Sequence, residues 1–527
     1  MVQPNLTAAV AAETHIAALV EAVRSGASEA SLSMPPALYP FGAAALESPG
    51  STVVVVTATA RAAEDLVAAI GALIGPEKVA EFPAWETLPH ERLSPRSDTV
   101  GRRLAVLRQV VHGGENRPRI VVAPVRSMMQ PQVKGLADIE PVEVLAGQEV
   151  ELDLVVQRLA AAAYSRVDLV ERRGEFAVRG GIVDVFPPTE DHPIRVEFWG
   201  DTVEDVRQFA VADQRTLEPV DRLWAPPCRE LLLTPQVRER AAELAKAHPS
   251  LAELFTKLSQ GHAVEGMESL APVLVGEMEL FVDLLPPGST VVVTDPERIQ
   301  ARAADLFATS DEFLAASWAA AAGGGEGPID IGAAGFRELE EVRQQIAERE
   351  LSWVEFSGFA LAESQIVSAE SAPEYRGDLV AALADIKALL VGGSKVVLTS
   401  AAHGPAQRSV EWLTENDVPA KLLTGPVELA AAPAGVVQVA CAELRHGFVS
   451  AELALAVLTQ DDLVGQRSVE RTTRSMPSRR RRQVDPLELS PGDPVVHEQN
   501  GVARYVELVK RVVHGAEREY LVLEYAP

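Results

Sequence analysis

The sequence predicts a multidomain α/β protein with an inserted small antiparallel domain and a small β-barrel module at its end. Short apolar runs rich in valine and isoleucine alternate with amphipathic helical stretches, which is typical of parallel sheets covered by helices. A middle segment instead has short alternating strands between glycine and proline turns, and Asn500-Gly501 is a strong hairpin signal. The 527 residues leave room for about three to five domains.

The parallel sheet is predicted from two separate stretches of the chain. Residues 52–57 form a β-branched run typical of a buried strand, and a helix with one apolar face follows. Residues 120–125 repeat this pattern, and residues 290–294 resume it after a long interruption. We therefore expect one α/β domain in two parts, and a further α/β unit in residues 366–460, where the same alternation returns.

The interruption has the pattern of a small antiparallel sheet. After a helix near residues 152–163, strand-like runs are separated by turn pairs such as Gly180-Gly181 and Gly200-Asp201. These runs lie at residues 167–170, 175–179, 181–186, 194–198 and 203–209.

We divide the chain into six predicted segments. Residues 461–486 stand out because they are basic, contain the arginine run at 479–482 and show no apolar periodicity, which favours a flexible linker. The segments are a first α/β part (1–135), an inserted α+β domain (136–215), a second α/β part (216–365), a small α/β spacer domain (366–460), the linker (461–486) and a terminal β domain (487–527).

Charge and cysteine content favour an intracellular protein whose main partners are proteins. The 48 basic and 75 acidic residues give a net charge of -27, which should repel nucleic acid except where basic residues are grouped, although it also fits solubility alone. Cys228 and Cys441 lie far apart and no CxxC pair exists, which disfavours a zinc site or a disulfide framework. Since we find neither a signal-peptide pattern nor an apolar run of roughly 20 residues, we expect a cytoplasmic location and no membrane contact.

The sequence shows no catalytic motif. A P-loop needs GxxxxGK[ST], and the look-alike Gly392-Gly393-Ser394-Lys395 runs into a strand, where a P-loop lysine would begin a helix. HExxH, GxSxG and GxGxxG are absent, and the ten histidines lack metal-ligand spacing. We therefore expect no catalytic, cofactor-binding or metal-binding residue in this chain.

Arginines in the predicted insert are a candidate docking signal. They could lie together on one sheet surface, where forked guanidinium groups suit the carboxylates of an acidic partner. Solvated surface charges are the alternative interpretation. The residues concerned are Arg166, Arg172, Arg173 and Arg179.

Two further stretches have more than one interpretation. Residues 82–104 combine Trp85 with several prolines and an arginine pair, which fits either a structural strand-to-helix connection or a binding loop. In the terminal module a free sheet edge could pair with a partner strand. Leu508, Val512 and Tyr520 would then flank that edge, or else they fill the core.

Several blocks resemble a known protein family. Residues 82–104, 179–187 and 194–201 are similar to signatures shared by excinuclease B and the bacterial transcription-repair coupling factors. Residues 451–465 resemble the segment just before the coupling factors' polymerase-binding module, and residues 491–505 resemble that module itself, which is akin to the CarD family. The order of these blocks is more specific than any single block.

This resemblance implies a helicase-like parallel sheet with a degenerate nucleotide site, and a Tudor/CarD-like terminal β-barrel. Excinuclease B has a P-loop near its start, whereas residues 39–45 here contain no lysine, serine or threonine. The family's ATP-driven DNA translocase and C-terminal regulatory domain are missing, so we expect a portion of a longer protein. ATP, Mg²⁺ and most DNA contacts would belong to those missing domains.

The resemblance also implies a role in transcription-coupled DNA repair. Coupling factors displace RNA polymerase stalled at a lesion and recruit excinuclease A through the excinuclease B-like module. The implied contact residues are Arg166, Arg173, Arg179 and Phe186 for excinuclease A, and Tyr505, Leu508, Arg511 and Val512 for the polymerase β subunit. The alternatives are an excinuclease B-like damage-loading ATPase, a self-contained adaptor, and direct DNA binding through the arginine run at 479–482.

Overall fold

Valine-rich runs build the central sheet of the first part of the chain. In the computed structural model, seven parallel strands lie side by side. From one edge to the other they are Gln365–Ile366, Glu29–Ser33, Ser352–Ser357, Thr290–Thr294, Val53–Thr57, Ile120–Pro124 and Val79–Glu81. Because Val53–Thr57 pairs directly with Thr290–Thr294, residues on both sides of the insert share one sheet.

The structure describes residues 3–88, 93–322, 335–359, 364–429, 433–465, 492–497, 501–513 and 516–525. They belong to two compact units, Met1–Arg474 and Ser475–Pro527. The α-helices of the first unit are Pro4–Ala11, Thr14–Arg24, Tyr39–Ala45, Ala60–Ile74, Ser97–His112, Val125–Met129, Leu152–Ala161, Pro235–Ala247, Ala252–Ser259, Ala271–Leu274, Pro296–Ala322, Leu339–Glu348, Leu379–Val391, His403–Glu415 and Gln460–Val464.

The insert folds into a six-stranded, mainly antiparallel sheet. In order across the sheet, its strands are Thr216–Pro219, Thr202–Phe209, Ile194–Trp199, Ile182–Val185, Glu175–Arg179 and Ser165–Arg166. One face packs on helix Leu152–Ala161, which contributes Val155 and Leu159 to the core. The predicted strand at 167–170 is wrong. Instead Val170 turns inward to pack with Phe186 in a separate small core, so the extended backbone ends at Arg166.

A second six-stranded sheet lies in the part predicted as a spacer. Its strands, in order, are Glu370–Ser371, Phe448–Ser450, Leu455–Thr459, Lys395–Ser400, Val437–Cys441 and Ala420–Leu422. This sheet is not separate from the N-terminal helices. Leu6 and Val10 of the first helix belong to the same buried core as Val397 and Val457, and the rings of Phe41 and Phe448 meet edge to face at 5.5 Å.

Polar contacts fix this seam between the N-terminal helices and the second six-stranded sheet. Buried Gln3 accepts a hydrogen bond from the Val427 amide at 2.7 Å, and the Asn5 side chain donates to the Val427 carbonyl at 3.1 Å. Arg445 pairs with Asp65 at 3.0 Å on the surface of the same seam. The spacer and the N-terminal segment therefore pack as one body.

Short elements fill the rest of the first unit. Val142–Leu145 pairs with Arg222–Ala225, and Gln132–Val133 pairs with Met278–Glu279, each in a two-stranded antiparallel sheet. The helices between residues 235 and 274 form an apolar cluster of their own around Phe255. A parallel sheet combined with several small antiparallel sheets confirms the predicted multidomain α/β class.

The second unit is a three-stranded antiparallel sheet. Strands Pro494–His497 and Ala516–Tyr525 lie on either side of Gly501–Val513. The predicted linker lies almost wholly outside the described residues, including the arginine run at 479–482. Residues 461–464 were predicted as the start of the linker, but they belong to the helix Gln460–Val464.

No single helix in the described part of the chain is long and apolar enough to cross a membrane. The helices Pro4–Ala11 and Thr14–Arg24 meet at 89°. Taken together as a bent pair, they have the length and composition of a possible membrane span. Among the same described residues, no group of three or more His, Cys, Asp or Glu side chains is placed to hold a metal ion.

Candidate docking surface

Strand pleating gives the inserted sheet one polar face. Along Ile194–Trp199, alternate residues are buried in the core, while Arg195, Glu197 and Trp199 face the other side. The cross-strand register places Asp184 opposite Arg195, and Arg195 opposite Arg207. Charged side chains therefore form rows across several strands on this face, which we call the polar face.

Asp184 is the centre of the polar face. Its carboxylate is almost fully buried, yet it accepts one hydrogen bond from Arg179 at 2.6 Å and two from Arg195, at 2.7 and 2.9 Å. The hydrogen bond to Asp184 raises the pKa of the Arg195 guanidinium, which also lies 4.5 Å above the Phe209 ring. Two arginines are thus held in fixed positions by one buried carboxylate.

Arg179 combines this anchoring with exposure. Its side chain is 48% exposed and lies at the end of strand Glu175–Arg179. Gly180 follows with a φ of 61°, the left-handed conformation that a tight hairpin turn requires and glycine adopts without strain. The guanidinium can therefore reach a partner while Asp184 limits its rotation.

Arg173 and Phe186 form a second, less exposed contact. Arg173 donates to the Glu190 carbonyl at 2.8 Å and pairs with Asp191 at 3.2 Å, and its guanidinium lies 5.0 Å above the Phe186 ring. Phe186 itself is fully buried. In this structure the Phe186 ring supports Arg173, and its contact with a partner stays a prediction.

The remaining arginines differ in how they are held. Arg166 lies exposed on the edge strand Ser165–Arg166, with no ion-pair partner among the residues that the structure describes. Arg207 pairs with Glu197, and with Asp205 at 3.4 Å, within the polar face. Asp184, Arg195 and Arg207 were missed from the sequence, although the period-two alternation around residue 195 was a usable signal.

The described residues of the stretch 82–104 include a buried polar network. Arg103 is fully buried and its Nε donates to Glu230 at 2.6 Å, while the Trp85 indole donates to the same carboxylate at 2.9 Å. The Arg103 guanidinium also lies 4.3 Å above the Phe82 ring. In the described residues these aromatic and cationic groups face inward, which favours the strand-to-helix connection of the two interpretations.

Comparison with known proteins identifies two segments of the chain, one in the insert and one at its C-terminal end. The family model described as the UvrB interaction domain matches residues 142–231, and the model described as the CarD-like/TRCF RID domain matches residues 489–527. The transcription-repair-coupling factor of Mycobacterium bovis is 44% identical over 499 residues, covering 90% of this chain and 40% of the relative. The chain belongs to the transcription-repair-coupling factor family.

More distant members of the transcription-repair-coupling factor family match over a similar length. The protein of Myxococcus xanthus is 31% identical over 492 residues, covering 86% of this chain, and that of Escherichia coli is 27% identical over 479 residues, covering 85%. The chain spans about 40% of the length of these relatives. The resemblance noted from the sequence blocks is thereby confirmed.

Residues 39–45, which the resemblance compares with the P-loop region of excinuclease B, form a buried helix in this family member. The loop after strand Glu29–Ser33 enters helix Tyr39–Ala45, and the Tyr39 hydroxyl donates to Asp295 at 2.6 Å. Burial and the Asp295 carboxylate both raise the pKa of Tyr39. A side chain at Gly42 would lie 2.8 Å from Met34, so the helix Tyr39–Ala45 packs closely against its neighbours at this position.

The polymerase-binding residues expected from the transcription-repair-coupling factor family lie on the middle strand of the second unit. Tyr505 is only 6% exposed, and its contact with the polymerase stays a prediction. The strand Gly501–Val513 includes positions 508, 511 and 512, but the side chains of Leu508, Arg511 and Val512 lie outside the described residues. Val502, in contrast, is exposed.

Proposed function

We propose that this chain is the docking portion of a transcription-repair coupling factor. It recruits excinuclease A through the polar face and contacts the β subunit of RNA polymerase through the terminal sheet. The observation that carries the first role is the pair of arginines, Arg179 and Arg195, fixed by buried Asp184 within the segment that matches the UvrB interaction domain.

Charge supports an acidic site on the partner. The whole chain carries a net charge of -27, whereas Arg166, Arg172 and Arg179 are exposed cations of the insert. Guanidinium groups form paired hydrogen bonds with carboxylates, and preorganised donors lose little side-chain entropy on binding. Arg166 and Arg179 are therefore the direct contacts in this proposal, and Arg173 stabilises the adjoining loop.

The Arg179→Ala substitution tests the first role. We expect the affinity for purified excinuclease A to fall by about 2 kcal/mol or more, roughly 30-fold, because an anchored ion pair across the interface is lost. Arg215→Ala is the matched control, since Arg215 lies in the same domain, is 84% exposed and pairs with nearby Asp213. Equal affinities for both variants and the unaltered chain would rule out the polar face as the docking site.

The second role rests on the terminal sheet. Among the described residues, Pro494–His497 and Ala516–Tyr525 are its outer strands, and outer strands carry unpaired amides and carbonyls that can bind a partner strand. The match to the CarD-like/TRCF RID domain covers this sheet. We therefore propose that Leu508, Arg511 and Val512 lie near the contact with the polymerase β subunit.

Removing residues 487–527 separates the two roles. Because this sheet belongs to its own compact unit, we expect the shortened chain to lose capture by RNA polymerase and to keep capture by excinuclease A. A pull-down with each purified partner measures both. Undiminished capture by polymerase after the deletion would contradict the proposed role of the terminal sheet.

The motor function is proposed for the parts of the relatives beyond this chain. ATP and Mg²⁺ would bind there to drive DNA translocation, and this chain would act without a cofactor. The composition of residues 39–45 supports that division, because this region, which the resemblance compares with the P-loop of a helicase-like site, contains no lysine, serine or threonine and would be degenerate. A cytoplasmic location and the six segments are part of the same proposal, with the helix Gln460–Val464 outside the linker.

A further inference from the structure

Trp199 is the most unusual exposed side chain of the insert. It ends strand Ile194–Trp199 and is 80% exposed, although an indole is a large, mainly apolar group whose burial is strongly favourable. It follows Arg195 and Glu197 on the side of the strand that forms the polar face. The core of the insert does not use this ring.

The sheet register places Trp199 and Arg179 at the same end of the sheet, on strands that flank Ile182–Val185. The two hairpin turns that contain Gly180 and Gly200 lie at the same end of the sheet, because the strands between them run antiparallel. The Phe198 amide donates to the Gly181 carbonyl at 2.8 Å, so the residue after Phe198 lies beside the turn that begins at Arg179. An exposed indole and an exposed guanidinium therefore share one end of the polar face.

The Trp199 hairpin is held in place by a neighbouring loop. The Val150 amide donates to the Asp201 carbonyl at 2.7 Å, and Glu149 forms a β-bridge with Thr202. These contacts support the turn directly after Trp199. The indole is thus presented on an ordered support, which lowers the entropy lost on binding.

We propose that Trp199 is the apolar anchor of the docking surface and enters an apolar pocket with an acidic rim on excinuclease A. This inference rests on the proposed function and adds a contact to it. Exposed tryptophan beside exposed arginine is the combination enriched at the energetic centres of protein interfaces. Arg179 and Arg166 would meet the acidic rim, and the indole would occupy the pocket that this rim surrounds.

Trp199→Ala provides the test, with Phe359→Ala as the matched control. Phe359 is another exposed aromatic residue, 75% exposed, but it lies beyond strand Ser352–Ser357 of the parallel sheet. We expect roughly a tenfold or greater loss of affinity for purified excinuclease A in Trp199→Ala, a smaller loss in Trp199→Phe, and no change in Phe359→Ala. The same urea midpoint in all variants would confirm that the fold is intact.

The Arg179→Ala variant separates failure of this inference from failure of the proposed function. If Arg179→Ala binds weakly while Trp199→Ala binds like the unaltered chain, the anchor is overturned and the docking function stands. If both variants bind like the unaltered chain, the polar face is not the docking site and both ideas are overturned. An equal loss of affinity in Phe359→Ala and Trp199→Ala would also overturn the anchor.

Discussion

Replacing Arg103 by alanine should lower the free energy of unfolding of the first unit by about 3–5 kcal/mol. Its guanidinium is fully buried and donates to Glu230, to the Pro83 carbonyl at 2.8 Å and to Gln132 at 3.2 Å. Removing it leaves the buried Glu230 carboxylate with the Trp85 indole as its remaining hydrogen-bond donor among the described residues. An unpaired buried charge is among the most destabilising changes that a single substitution can make.

Arg102 provides a control one position away on the same helix. Its side chain is 42% exposed and it pairs with Glu81 at 3.3 Å, so Arg102→Ala should cost about 1 kcal/mol or less. Urea unfolding followed by circular dichroism would measure both variants. Similar losses for Arg102→Ala and Arg103→Ala would show that the buried network around Glu230 contributes little to stability.

Replacing Asp184 by alanine should affect both stability and binding. Arg195, whose side chain is only 15% exposed, would lose both of its hydrogen bonds to the carboxylate, and we expect a loss of about 3 kcal/mol in unfolding free energy. Arg179 would also rotate freely. The affinity for excinuclease A should therefore fall as in Arg179→Ala, although Asp184 is too buried to contact a partner itself.

Asp205→Ala is the matched control for this prediction. Asp205 lies two strands away on Thr202–Phe209, is 41% exposed and pairs with Arg207 at 3.4 Å, so its loss should change stability by about 1 kcal/mol or less. Affinity and urea unfolding should be measured on the same preparations. Full affinity of Asp184→Ala would show that anchoring of Arg179 does not matter for docking.

Local patterns predicted much of the fold and part of the site. The valine runs at 53–57 and 290–294 identified buried strands, since the residues on both faces of such a strand are apolar. The motif around Arg179 located the sheet that bears the polar face. In both cases the information lies within about ten residues of chain, which a sequence pattern can report.

What the sequence did not reveal are contacts between distant residues. The burial of Phe186 was not foreseen, because Val170 and Ala177 cover it from a loop and a strand outside residues 179–187. Asp184 was overlooked because its importance comes from Arg195, which joins it only through strand pairing. No local pattern could show that Gln3 meets Val427, because that contact depends on how two sheets pack.

The seam between the first helices and the second six-stranded sheet limits how this protein can be divided. A chain that ended near residue 365 would keep most strands of its parallel sheet. It would, however, leave Leu6, Val10 and Phe41 without the apolar surface that now covers them. A force applied to the spacer would likewise be transmitted directly to the N-terminal helices through Gln3 and Val427. The spacer therefore holds the N-terminal helices in place through a shared apolar core and the Gln3–Val427 hydrogen bond.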